Sequence, residues 1–336
     1  MGPSQVSDCR PTNIGVRATL LVGGLFVFAA GIPLFVGTER TDVYFAWTVR
    51  PPLTAAFLGA SYWASFLLGL LCSRQPCWHR ARLGVPGPML FTLLTLLATL
   101  IHIDRFHFGS AQPVARLVTW AWLVIYAAVP LALGIALVLQ LRTAGQDPSR
   151  QSPLGAGLRS FFIFLVVPTG ILGFGLYAAP LAVLKLWPWM LTPLTARAVG
   201  AWLLAIAVIS AQTALENDVV RIRPAFITMT ALGVLQIVAL LRYPSDFRWD
   251  VGGGMGLLAD SDWHPVRRCV WPAVPPLPNP PRTGLTANGS RERSVRVSAC
   301  RKCFNSEAQA GGRGGLSEEC LGEASGPRLH KRALRP

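Results

Sequence analysis

The run Ile101-His102-Ile103-Asp104-Arg105-Phe106-His107-Phe108 gathers the residue types best able to do chemistry in this chain. Imidazole and carboxylate groups bind metal ions, and a His beside a carboxylate acts as a base. On a continuous helix Asp104 and His107 share a face at i,i+3, while His102 points elsewhere. The run therefore supplies three ligands only if the backbone turns. Read as a site, His102, Asp104 and His107 are the candidate catalytic residues of a membrane-embedded enzyme acting on a lipid-linked substrate. Read plainly, they form a polar rim at a helix end, with Arg105 paired to Asp104. Polar residues are common there, and the pattern favours the rim.

A second charged group is Glu216, Asp218, Arg221 and Arg223, with Gln212 one turn before Glu216. It reads either as an inner gate or proton-relay end, or as a salt-bridged loop that fixes two helices. The loop is the better reading, and exposed pairs of that kind contribute only about 0–1 kcal/mol. Cys300, Cys303, Cys320 and His330 are four possible zinc ligands, but their spacing is irregular and no metal is expected. Asn288-Gly289-Ser290 matches the N-glycosylation triplet, too short a pattern to carry weight. Phosphate-binding glycine loops, a serine elbow and a His-Glu-x-x-His helix are all absent, so no cofactor is expected.

These residues must be positioned by elements suited to lipid. The chain has 336 residues, 52% hydrophobic and 14% charged, with a mean hydropathy of +0.44. Soluble domains carry about 25% charged residues. A soluble enzyme, a coiled coil and a collagen-like rod are thereby excluded. Crossing the hydrocarbon core takes about 20 apolar residues. Seven runs qualify: 16–36, 53–71, 83–101, 117–141, 158–184, 195–215 and 224–241. The first follows Arg10 and Arg17 as a signal peptide would, but it continues past Ala29-Ala30-Gly31 to Val36 and reads as an uncleaved span. The expected fold is an all-α polytopic bundle of about seven transmembrane helices. It comprises a short N-terminal segment (1–13), the bundle (14–241) and a basic, Gly/Pro-rich tail (242–336) expected to be disordered. Twenty-one of the last 86 residues are Gly or Pro.

The net charge of +15 comes from 31 Lys and Arg against 16 Asp and Glu. Beside so many apolar runs, this points to lipid headgroups rather than nucleic acid. Ten basic residues flank the spans on the N-terminal side of the bundle and eight on the other, which favours an inside N-terminus. Loops after the first, third, fifth and seventh spans share one side, bringing Glu39, Arg40, Asp42, His102, Asp104, Arg105, His107, Asp246 and Asp250 to one face. Trp47 and Trp187-Pro188-Trp189 suit an interfacial aromatic belt.

No run has an Asp, Glu, Lys or Arg near its centre, which counts against a charge-coupled pump. Ala56, Ala60 and Ala64 form a small-residue stripe for helix packing. Pro130, Gly134, Pro168 and Gly170 interrupt the fourth and fifth spans, and with Gln236 they are the candidates for lining a solute pathway. The leading reading is a non-catalytic structural or interaction component of a bacterial inner membrane, with the lipid bilayer and other membrane proteins as partners. A permease for a neutral or apolar solute is the alternative.

Overall fold

The computed structural model describes residues 9–249, and seven helices in it are long and apolar enough to cross a bilayer. Their main helical segments are α1 (Ile14–Phe35), α2 (Pro52–Ser73), α3 (Pro86–Ile101, within the span Trp78–Ile101), α4 (Pro113–Leu141), α5 (Ala156–Ala178), α6 (Pro193–Glu216) and α7 (Val219–Arg242). No named strand occurs among the described residues. Asp250, the rest of the tail after it, the Cys300/Cys303/Cys320/His330 set and the Asn288 triplet lie outside the described residues.

Local chemistry decides where each helix begins. Pro52, Pro86, Pro113 and Pro193 occupy the first helical position, where the missing N–H costs nothing and φ is already helical. Asn13 caps α1 by accepting from Gly15 N–H at 2.6 Å. Thr192 and Thr195 cap α6 reciprocally. Asn217 ends α6 at φ 45°, a left-handed turn that lets α7 start two residues later.

Two boundaries differ from the sequence reading. Proline-led α3 has only 16 residues, and the span is completed by the short helical turns Trp78–Ala81 and Arg82–Gly84 before it. The fifth run does not stay helical to Leu184. It passes through Pro168, then stops at Ala178, because Ala179 leaves the helical region and Pro180 has no N–H to continue the ladder.

The helices are not equivalent. The most apolar stretches of α2 and α6 are 61% and 67% buried, whereas those of α5 and α7 are 17% and 22% buried. Thus α2 and α6 form the centre. α1 and α7 pack on α2, α3 and α5 pack on α6, and α4 closes the ring against α1 and α3. Ala56, Ala60 and Ala64 are all buried. Backbones also approach closely at glycines. A Cβ on Gly59 would lie 2.6 Å from Phe35 N, and one on Gly69 would lie 2.8 Å from Leu20 O. A Cβ on Gly200 would lie 2.7 Å from Gly173 O.

The loops after α1, α3, α5 and α7 interlock on one face. His107 N–H donates to Ala46 O, Leu53 N–H to Asp246 Oδ2, and Arg248 N–H to Pro188 O. Trp47, Trp187 and Trp189 are buried in this layer rather than displayed as a belt, because they pack on Phe45, Phe57, Phe106 and one another.

Candidate functional site

Between α1 and α4, backed by α2, α3 and α6, the bundle encloses a cavity of about 100 Å³. Its wall is overwhelmingly apolar, built from residues such as Val27, Val129, Leu133, Phe91 and Ile209. Gly23 of α1 keeps the space open, since a Cβ there would meet nothing closer than Val129 at 3.7 Å. Phe26 of α1 lines the cavity and is also exposed on the outer surface of the bundle.

An aromatic layer forms the polar end. Trp202 of α6 stacks on Phe91 of α3 at 3.8 Å, and Tyr62 of α2 meets Trp202 edge-on at 5.2 Å. Tyr126 of α4 lies against Trp122 at 4.2 Å. The Tyr62 and Tyr126 hydroxyls are bonded to each other at 2.6 Å, and among the described residues neither has another partner. Two hydroxyls sharing one bond use one proton, so the pair retains one O–H donor. The Thr19 and Thr92 hydroxyls, also on the wall, donate back to their own helices. Trp202 Nε1 is buried without a partner.

The residues singled out in the sequence lie elsewhere. His102 Nε2 accepts from Arg197 Nη1 at 2.6 Å. Burial, and then the Arg197 guanidinium, hold the His102 imidazole below its ordinary pKa. His107 is engaged at both nitrogens, Nδ1 with Phe45 O at 3.0 Å and Nε2 with Thr48 Oγ1 at 3.1 Å. Asp104 pairs with Arg105 at 2.9 Å, and both are exposed. The three side chains thus have separate local partners. Among the described residues, no group of three or more His, Cys, Asp or Glu is arranged to hold a metal ion.

Pro130 and Gly134 line a wide outer groove between α3 and α4, of about 560 Å³, whose lining includes no α5 residue. Pro168 and Gly170 are on α5, where Pro168 is exposed and Gly170 faces Ala207 of α6. Gln236 of α7 donates to Phe57 O at 3.1 Å and to Ser61 Oγ at 3.3 Å, joining α7 to α2.

Glu216 and its neighbours are joined by two residues that sequence reasoning did not connect with them. Arg82 grips both Glu216 oxygens and reaches Asp147 Oδ2 at 2.7 Å, while Arg221 approaches Glu216 at 3.4 Å and donates to Pro148 O. Gln212 donates to Arg82 O at 3.2 Å, and Arg223 is exposed. Burial alone would raise the Asp218 pKa. The N–H groups of Gln151, Arg221, Ser152 and Val220 outweigh it and hold the carboxyl below its ordinary value. Three loops are thereby locked together.

Fold and cavity together define a polytopic α-helical membrane protein. Compared with known proteins, the chain matches no family model, no curated protein and no solved structure.

Proposed function

We propose that this protein is a non-catalytic membrane component that holds a bilayer-dissolved, mostly apolar molecule between α1 and α4. A single polar acceptor on that molecule, a hydroxyl or carbonyl oxygen, meets the spare O–H of the Tyr62–Tyr126 pair. The observation that carries the reading is the apolar cavity with the spare O–H of the tyrosine pair at its aromatic end. A donor kept in a membrane interior has no water to satisfy it, so a ligand acceptor there is worth more than on a wet surface. Binding needs no proton or charge movement, in keeping with spans that have no ionisable residue near their centres. The short connections between spans support placing the bundle in a bacterial inner membrane.

The test is photo-labelling in bilayers with a long-chain alcohol bearing a diazirine on its tail. Adducts are expected on α1 and α4 peptides and lost in Gly23→Leu, which fills the cavity where no backbone blocks the new side chain. Replacing both Tyr62 and Tyr126 with Phe should abolish the preference for the alcohol over the matching alkane. Equal labelling of Gly23→Leu and the native chain, or adducts spread evenly over the lipid faces of α5 and α7, would overturn the proposal.

A further inference from the structure

The N-terminal segment is sewn into the face of the bundle opposite His102. Trp78 N–H donates to Arg10 O at 2.9 Å, Thr12 N–H to Pro76 O at 2.8 Å, and Arg10 N–H to Gln146 O at 3.0 Å. Gln140, fully buried at the end of α4, accepts from Asn13 N–H at 2.6 Å and donates to Pro11 O at 3.0 Å. These bonds hold the chain beside both Cys9 and Cys77. The α-carbons of the two cysteines lie 5.8 Å apart, and their sulfurs are joined in a disulfide. Among the described residues Cys72, at the end of α2, stays a buried free thiol.

We infer that Cys9 and Cys77 are an oxidative modification site, and that the face bearing them lies on the non-cytoplasmic side of the membrane. The oxidant belongs to the class of protein disulfides that exchange with thiols. A thiolate of one cysteine attacks a sulfur of the oxidant's disulfide, forming a mixed disulfide and releasing one oxidant thiolate. The second cysteine's thiolate attacks the mixed disulfide at the protein sulfur and expels the other oxidant thiolate. The two protons lost by Cys9 and Cys77 end on the oxidant's two thiols, so this chain loses two electrons and the oxidant gains two. Cytosolic reductants keep such pairs as thiols, whereas the bacterial periplasm and extracellular space oxidise them.

The basic-residue count points the other way, but ten against eight is a narrow margin, and both faces carry arginines at helix ends. With an odd number of spans, the inference places the His102 and His107 face in the cytoplasm. Residues 242–336, with fifteen basic and nine acidic residues, then start beside the anionic inner leaflet.

The experiment uses the full-length chain with Cys269, Cys300, Cys303 and Cys320 replaced by Ser. It adds either Ser149→Cys in the exposed α4–α5 loop or Ala111→Cys in the exposed α3–α4 loop. A membrane-impermeant maleimide should label Ser149→Cys on intact cells and Ala111→Cys only after permeabilisation. In parallel, acid-quenched cells treated with a permeant alkylating agent are analysed by peptide mass. Cys9 and Cys77 should escape alkylation until a reductant is added. Labelling of Ala111→Cys on intact cells overturns the inference, even with the disulfide present. So does alkylation of Cys9 and Cys77 without reduction.

Discussion

Replacing Gly200 with Ala should destabilise the bundle more than its single added methyl suggests. The new Cβ would lie 2.7 Å from Gly173 O and 2.9 Å from Tyr177 N, both backbone atoms that no rotamer change can move aside. Restoring ordinary contact needs α5 and α6 to separate locally by roughly 0.7 Å, a gap at which each pair of packed atoms loses about a quarter to a half of its attraction. Overpacking of this kind costs about 1–3 kcal/mol. In lipid no hydrophobic gain offsets it, because hydrocarbon solvates the exposed faces as well as a neighbouring helix does. Gly173→Ala meets the same contact from the other side, its Cβ 2.9 Å from Leu203 Cβ and 3.1 Å from Gly200 O. Once either substitution has parted the helices, the second costs less, so the double variant should fall short of additivity by about 1 kcal/mol. Gly233→Ala on α7 is the matched control. Nothing lies within 4 Å of its added Cβ, and helix propensity favours the change by about 0.5–1 kcal/mol. Unfolding in bicelles, followed by tryptophan fluorescence, measures all four variants. A Gly200→Ala variant as stable as Gly233→Ala would refute the close-approach argument, and strict additivity would refute the shared separation.

The polar groups at the two ends of the bundle make three further predictions. Glu216→Ala leaves Arg82 without one of its two carboxylates and buried Arg221 without its carboxylate, and should cost about 3 kcal/mol by thermal melting, whereas Arg223→Ala, on an exposed side chain, should cost almost nothing. Asp218 binds four backbone N–H groups as a carboxylate, so its stabilisation is present above the ordinary carboxylate pKa and lost as pH falls through its lowered folded value. Melting temperature should therefore drop on acidification in the native chain and much less in Asp218→Asn. His102 follows the same sign with a different window: held neutral by burial and Arg197, it stabilises above the ordinary imidazole pKa and loses that contribution as pH falls through its lowered value. An imidazole NMR titration should find His102 below its ordinary pKa in the native chain and closer to it in Arg197→Gln. An unshifted native titration would contradict the half-buried His102–Arg197 pairing.

The spans could be read from the chain because each must satisfy its backbone internally and present apolar side chains outward, which leaves long uninterrupted runs. Their ends were less legible. Pro180 stopped the fifth helix while Pro168, inside it, did not, and a hydropathy run does not distinguish the two. The shared face of the odd-numbered loops followed from counting alone. The connection of Arg82 and Asp147 to Glu216 did not, since it joins three loops whose contact depends on how α2, α4 and α6 are arranged. The disulfide was hidden for the same reason: Cys77 and Cys9 are separated by 68 positions, with two whole spans between them.

The cavity was the least legible feature, and the reason lies in what a lone tyrosine signals. Tyr62 and Tyr126 each stand near the middle of an apolar helix, 64 positions apart, with no spacing that links them. Polar types crowd together at His102, Asp104 and His107, read as a rim more readily than as a site, and these side chains find separate partners in nearby loops and in α6. A usable signal was present in depth rather than spacing. Tyrosine belongs at the membrane interface, where its hydroxyl reaches water. At mid-span that hydroxyl must find a partner inside the bundle, so two mid-span tyrosines on different helices imply a meeting point. The geometry places them together beside Trp202, with one proton between them unspent, on the wall of a space that α1 leaves open at Gly23.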